Sequence, residues 1–249
     1  MRLFARWVPL IAAAGALSTA PRRMIDGHPV RVITHTLAEA TEISVFTRDL
    51  TTGVAPSSQD ALAGQLWPSA RALATEVHAR LLRAQPSRPT VVELGCGVGM
   101  VSLAAAAAGV DVVASDVDGF ARACVAAAAA DAGFARVDVV PFDLAARDAL
   151  PRLAPGDWVV MSDVFVTPAV ARAAARRCVE AVDAGARVFV GDCGRCTRDD
   201  FLAELRLGAR LPSEGLRFRD AAELRRWEAA RAPSALPPLL LLDTSELGM

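Results

Sequence analysis

Three glycines and three carboxylates carry the chemistry most legible in this 249-residue sequence. The run Val91-Val-Glu-Leu-Gly-Cys-Gly-Val-Gly99 places Gly95, Gly97 and Gly99 in a G-x-G-x-G spacing. Glycines so placed allow a tight turn and let a ligand approach the backbone closely. A dinucleotide-binding fingerprint has its third glycine one place later, where Met100 stands, and a phosphate-cradling loop would continue with Lys and Ser or Thr, also absent. Glu93 lies two residues before Gly95, and Asp116 and Asp143 close the next two apolar runs. At strand tips, Asp116 could accept both hydroxyls of a ribose and Asp143 an adenine amino group, with Glu93 beside an ammonium. A rim of carboxylates suits a cationic, phosphate-free adenosyl ligand and repels a pyrophosphate. The loop amides and the following helix N-terminus are expected to stay free for a carboxylate of that ligand.

Acids at successive tips require parallel strands alternating with helices, and the sequence around them reads that way. Strands are expected at 90–94, 110–115, 137–141, 158–162 and 187–190, with helices at 100–108, 120–132 and 168–184 between them. Near-continuous apolar strands separated by helices imply a doubly wound α/β sheet covered on both faces. Upstream, Val30-Arg-Val-Ile-Thr and Ile43-Ser-Val-Phe-Thr read as a β-hairpin, 51–64 as a loop, and Trp67-Pro68-Ser69 as the start of a helix with an apolar face at Leu73, Val77, Leu81 and Leu82. Downstream, 197–207 and 220–230 read as helices and 239–242 as a final strand in an antiparallel hairpin on the sheet edge.

Composition narrows the partners. The formal net charge is −1 with just over half the residues apolar, which excludes a polyanion-coating surface and argues against nucleic acid. Five scattered cysteines suit a reducing interior better than a disulfide framework. Arg2, Arg6, Arg22 and Arg23 flank the apolar stretch 7–17, and no acid precedes Asp26. Residues 1–25 therefore read as a presequence directing the chain to an organelle, mitochondrion or plastid, or else as a disordered or membrane-associating arm on a cytoplasmic protein. The stretch is too short for a comfortable membrane span, so no membrane association is expected of the mature form. Residues 26–249 form the folded domain: 26–64 the hairpin and loop, 65–196 the ligand-binding core, 197–249 the C-terminal helices and strand.

The run from Glu93 to Gly99 with Asp116 resembles the signature of class I S-adenosylmethionine-dependent methyltransferases. Gln65-Leu-Trp-Pro-Ser-Ala70 is similar to the seven-β-strand protein lysine methyltransferases. Ser162-Asp163-Val-Phe-Val166 and Gly191-Asp-Cys-Gly-Arg195 look most like the electron-transfer-flavoprotein β-subunit lysine methyltransferases, over roughly residues 60–196. The resemblance implies a mostly parallel seven-stranded Rossmann-like sheet and S-adenosyl-L-methionine as cofactor. It also implies that Trp67, Gly95, Cys96, Gly97, Asp116, Leu144 and Ser162 line the cofactor site and that Asp163 faces the methyl acceptor. Glu93 and Asp143 join that set from the charge argument. Two positions depart from the pattern: Val166 stands where that family has tyrosine, in a chain with no tyrosine at all, and Cys193 stands where it has proline.

Methyl transfer needs alignment of acceptor and methyl group and exclusion of water, and a lysine acceptor must also lose a proton. Asp163 could orient such an ammonium, or merely cap the turn before Pro168. Phe165 could replace part of the aromatic wall missing at Val166. Cys193 and Cys196 have C-x-x-C spacing but no second Cys or His pair, so no metal is expected. Cys124, Cys178, Trp158 and Trp227 read as packing, and Arg176-Arg177, Arg195 and Arg225-Arg226 as solvated helix faces or loop ends, with Arg195 the one of most interest. Three functions follow: transfer to a protein lysine, transfer to a small-molecule amine, or silent binding of the cofactor.

Overall fold

Five short apolar runs pair as parallel strands in the computed structural model, which describes residues 23–52, 60–84, 88–208, 217–219 and 240–243. They are β4 (Val91–Leu94), β5 (Val112–Asp116), β6 (Val137–Pro141), β7 (Trp158–Ser162) and β8 (Arg187–Asp192). β10 (Leu240–Asp243) runs antiparallel between β8 and β9 (Arg217–Arg219), giving the order β6-β5-β4-β7-β8-β10-β9. The α/β class, the mostly parallel seven-stranded sheet and the terminal antiparallel pair all agree with the sequence. The short strand β9 was not assigned to its residues in advance.

Side chains alternate across this sheet with period two. Val91, Val112, Trp158, Val160 and Phe189 pack with α2 (Pro68–Arg83), α3 (Met100–Ala107) and α4 (Gly119–Asp131). Val92, Leu94, Val113, Val159, Met161, Val188 and Val190 pack on the opposite side with α5 (Pro168–Asp183) and α6 (Arg198–Gly208). Both faces are therefore dry, which is why β4, β5 and β7 read as near-continuous apolar runs rather than alternating ones. Every described residue of α3 from Met100 to Ala106 is buried, its alanines letting the helix lie close to the sheet.

Capping fixes where the helices begin. The Asp118 side chain accepts from Ala121 N at 2.7 Å to open α4, and Thr167 Oγ1 accepts from Val170 N at 3.2 Å to open α5, with Pro168 in its first turn. α2 starts at Pro68 with Trp67 extended before it. Strand order reverses between β4 and β7, and their carboxyl ends, with those of β5 and β8, form the edge where open α/β sheets bind ligands.

A second sheet of β1 (Met24–Ile25), β2 (His28–Thr36) and β3 (Glu42–Arg48) is antiparallel and packs against α3 and α4. Met24 and Ile25, read from sequence as the end of a presequence, pair with Pro29 and His28 and belong to the folded domain. The segment read as a loop after β3 includes a single helical turn, α1 (Asp60–Ala63). Residues 1–22, the helix expected at 220–230 and Trp227 lie outside the described residues. Among the described residues no helix is long and apolar enough to cross a membrane.

Candidate functional site

The glycine loop is shaped by three left-handed residues and by neighbours that leave no room for side chains. Gly95, Gly97 and Gly99 have φ of 69°, 50° and 81°. A Cβ on Gly95 would lie 2.7 Å from Val164 Cγ1, and one on Gly99 would lie 2.6 Å from Val125 Cγ2. Close packing thus brings the tip of β4 against the residue following Asp163 on one side and against α4 on the other. Backbone bonds complete the turn: Cys96 N donates to Ser115 O at 2.9 Å and Gly99 N to Cys96 O at 2.8 Å.

Two of the three acids share the rim, and the third does not. Asp116, at the tip of β5, is buried and accepts from Gly97 N at 2.8 Å through Oδ2 and from Asp118 N at 2.9 Å through Oδ1. Burial pushes its carboxyl upward. Asp143 follows β6, which pairs with β5, and its exposed carboxylate accepts from Ala145 N at 2.8 Å. Glu93 was expected beside a ligand ammonium, but it lies on the strand face that Val91 occupies, turned towards α3. There its Oε2 accepts from Ser102 N at 2.7 Å and from Ser102 Oγ at 2.5 Å. Gly99 caps α3 without a side chain, so Glu93 supplies the acceptor that the first turn lacks. Burial pushes this carboxyl up to about 8, with the Ser102 bonds pulling it down. The expectation of free loop and helix amides is corrected accordingly: Ser102 N is held by Glu93 and Gly97 N by Asp116.

Asp163 sits at the tip of β7 with φ of 54° and is almost fully buried. Its Oδ2 accepts from Ser69 N at 2.9 Å and its Oδ1 from Cys193 N at 2.8 Å, while its own N donates to Gly191 O at 2.9 Å. The carboxylate therefore joins the start of α2, β7 and the end of β8, rather than capping the turn before Pro168, where Thr167 caps α5. Ser162, the last residue of β7, is half-buried and paired in register with Gly191. Trp67 is half-buried, donates from Nε1 to Leu62 O at 3.0 Å, and lies under the Arg195 guanidinium at 4.3 Å.

Several residues fall elsewhere than expected. Phe165 is fully buried and stacks on Phe201 at 4.4 Å, so it cannot replace the aromatic wall missing at half-buried Val166. Arg177 is no solvated helix residue: it is buried and donates to the carbonyls of Leu144, Ala146 and Asp148 and to Glu180 Oε2. It stations the segment after Asp143, and Leu144 with it. Only its neighbour Arg176 pairs across the surface, with Glu204. Cys96 is buried in the loop, and burial raises its thiol well above the usual range. Cys124 and Cys178 are buried, and Trp158 packs on Phe189 at 4.9 Å, as packing residues should. Cys193 and Cys196 are free. Cys193 groups instead with Asp163 and Asp192, whose ligand-type atoms lie within 4.8 Å of one another. Sequence reasoning also missed Val117, which is 71% exposed directly after Asp116. An apolar residue in the open between two acids was legible in the text as Asp-Val-Asp.

These residues fit a cationic adenosyl group. The loop amide that a phosphate would need already holds the Asp116 carboxylate, while Asp116, Val117 and Asp143 offer lone pairs and an apolar surface at adjacent tips. Fold and site define the class: an S-adenosylmethionine-dependent methyltransferase, with S-adenosyl-L-methionine as cofactor. The lysine methyltransferase family model matches residues 50–174, just over half of the chain, and the chain belongs to that family. Its fold is similar to that of a putative methyltransferase of this type from Streptococcus mutans, at TM-score 0.53 and 14% identity over 91% of this chain and 56% of that one. A human methyltransferase 10 domain containing protein is similar at TM-score 0.52 and 10% identity, over 72% and 83% of the two chains. The S-adenosylmethionine complex of the glycopeptide N-methyltransferase MtfA has TM-score 0.39 and 20% identity over 47% and 53%. No curated protein matches the sequence.

Proposed function

We propose that this chain transfers a methyl group to an amine, and that the amine is a lysine side chain of a protein. The observation that carries the reading is the buried Asp163 carboxylate, seated where β7 meets the glycine loop through the Gly95–Val164 contact. When bound, S-adenosylmethionine supplies a methyl group on a sulfonium, already activated for in-line displacement. Asp116 would accept from ribose hydroxyls, Asp143 from the adenine amino group, and Val117 would cover an apolar face. Trp67, Cys96, Gly97, Leu144 and Ser162 would line the remainder. Asp163 accepts a backbone bond at each oxygen and a further bond from the Cys193 thiol, and a carboxylate with about four acceptor sites still has capacity to orient an incoming ammonium. Glu93 holds the loop and touches no reactant. Membership of a lysine methyltransferase family supports a protein substrate.

The arginine-flanked arm supports import of the protein into an organelle, which microscopy of the full chain fused to a fluorescent reporter would check. Val166 and the structural engagement of Asp163 favour one second reading, a cofactor-binding protein without transfer. Incubation of the purified chain with methyl-labelled cofactor and cell extract separates them. Label in a protein band, mapped to lysine, supports the proposal; label in the small-molecule fraction overturns the protein substrate. Cofactor binding with no labelled product supports the second reading.

A further inference from the structure

Unpartnered polar atoms concentrate at the β7 and β8 tips. Ser69 Oγ, Asp192 Oδ1, Arg195 Nε and Arg195 Nη2 are four of the seven buried side-chain polar atoms without a hydrogen-bond partner among the described residues. Native interiors leave few such groups, and a set at one place marks where a ligand completes the bonding. The set is connected. Ser69 N donates to Asp163 Oδ2, Asp192 Oδ2 accepts from Arg195 N at 3.2 Å, and Ser69 Oγ would lie 3.4 Å from a Cβ on Gly191.

Within this set Arg195 is the group best formed to take a ligand. Arg198, three residues on, is paired with Asp192 through its Nε at 2.8 Å, whereas the Arg195 guanidinium has a ring face beneath it and, among the described residues, no acceptor at Nε or Nη2. Nε and Nη2 together form the side of the guanidinium that matches a carboxylate with two parallel bonds. Stacking on Trp67 fixes the plane of that fork without using a donor. Of the neighbouring carboxylates, both Asp163 oxygens and Asp192 Oδ2 already accept backbone or Arg198 bonds, and Asp192 Oδ1 is without a partner among the described residues.

We propose that Arg195 binds a carboxylate in the working site, in addition to holding Trp67. The inference rests on the cofactor pocket proposed above. Two sources share this chemistry: the amino-acid end of the cofactor, and an acidic group carried by the methyl acceptor near its amine.

The test titrates the full-length chain, as wild type, Arg195→Gln and Arg195→Lys, with S-adenosylhomocysteine and with methylthioadenosine, which lacks the amino-acid carboxylate. Wild-type binding of methylthioadenosine reports on the pocket itself, so absence of binding by either compound sinks the proposed function and this inference with it. If the cofactor supplies the carboxylate, Arg195→Gln weakens S-adenosylhomocysteine by roughly 10-fold or more and leaves methylthioadenosine unchanged. If the acceptor supplies it, both affinities stay unchanged, and Arg195→Gln abolishes the preference for lysine peptides with acidic neighbours over the same peptides with neutral ones. Equal weakening of both compounds makes Arg195 a prop for Trp67 and overturns the inference, as does no change in any readout. Arg195→Lys keeps the charge but loses the fork, so it should recover only part of the effect. Circular dichroism confirms that each variant is folded.

Discussion

Asp163 Oδ2 accepts the backbone N–H of Ser69 at 2.9 Å, linking residues 94 apart in sequence. One carboxylate thereby anchors the opening of α2 and, through Cys193 N, the end of β8. Removing it leaves one buried and one part-buried amide without acceptors. Asp163→Ala should lower stability by about 1–3 kcal/mol per amide, read as a shift in the urea midpoint. Asp163→Asn tolerates the left-handed backbone and keeps one acceptor, so it should lose less stability while still losing methyl transfer. If Asp163→Asn were fully active, an acceptor-orienting role for this carboxylate would be excluded.

Gly95 and Val164 form a second contact open to test. Gly95→Ala introduces a Cβ at 2.7 Å from Val164 Cγ1 on a residue whose φ is 69°. Left-handed backbone alone disfavours alanine by about 1–2 kcal/mol, and the collision adds to that. Pairing it with Val164→Ala should recover the steric part and leave the backbone part, as a thermal-melt double-mutant cycle would show. A Cβ on Gly97 meets only Ala63 O, at 3.5 Å, so Gly97→Ala should show the backbone penalty without a partner that relieves it.

The two rim acids should separate binding from folding. Asp116 holds Gly97 N and Asp118 N from a buried position, whereas Asp143 is exposed with one local bond. Asp143→Ala should change stability by less than about 0.5 kcal/mol and still weaken S-adenosylhomocysteine binding in calorimetry. Asp116→Ala should lower both. Unaltered affinity in Asp143→Ala would remove that residue from the adenine side of the pocket.

Glu93 predicts a dependence of stability on pH. Its carboxyl, ordinarily near 4.5, is raised to about 8 in the folded chain, chiefly by burial. Between those limits the folded state holds a proton that the unfolded state has released, so stability falls as pH rises from about 5 to 8. Glu93→Gln keeps an acceptor for Ser102 N without the titrating proton, and its stability should be flatter across that window. Half-buried His35 and buried His78, lowered chiefly by desolvation, act oppositely: they remove stability as pH falls below their ordinary 6.5. The wild-type minus Glu93→Gln difference in melting temperature isolates the glutamate, and a difference independent of pH would refute its assignment.

The sheet was legible because two dry faces write continuous apolar strands, and the loop because its glycines serve backbone geometry. Glu93 was misread because spacing along the chain says how near a residue lies to a loop, not which face of the strand bears it. Counting in twos from Val91 would have turned it towards α3. Arg177 was misread because charge in a helix usually means solvent, whereas here the backbone carbonyls of a folded-back segment provide the acceptors. Asp163 stands out in the sequence at a strand end, but its clamp on Ser69 is a tertiary contact with no local trace. Arg195 read as a solvated loop end, and its position over the Trp67 ring is a tertiary contact that the sequence does not show.

The anchored amides of the glycine turn have a thermodynamic consequence. Cys96 N, Gly97 N and Gly99 N all have partners within the protein itself. The turn is thus ordered as the chain folds, and a ligand docking against it would consume little further backbone entropy. Hydrogen exchange at these three positions should already be slow in the free protein, and ligand should leave their protection almost unchanged.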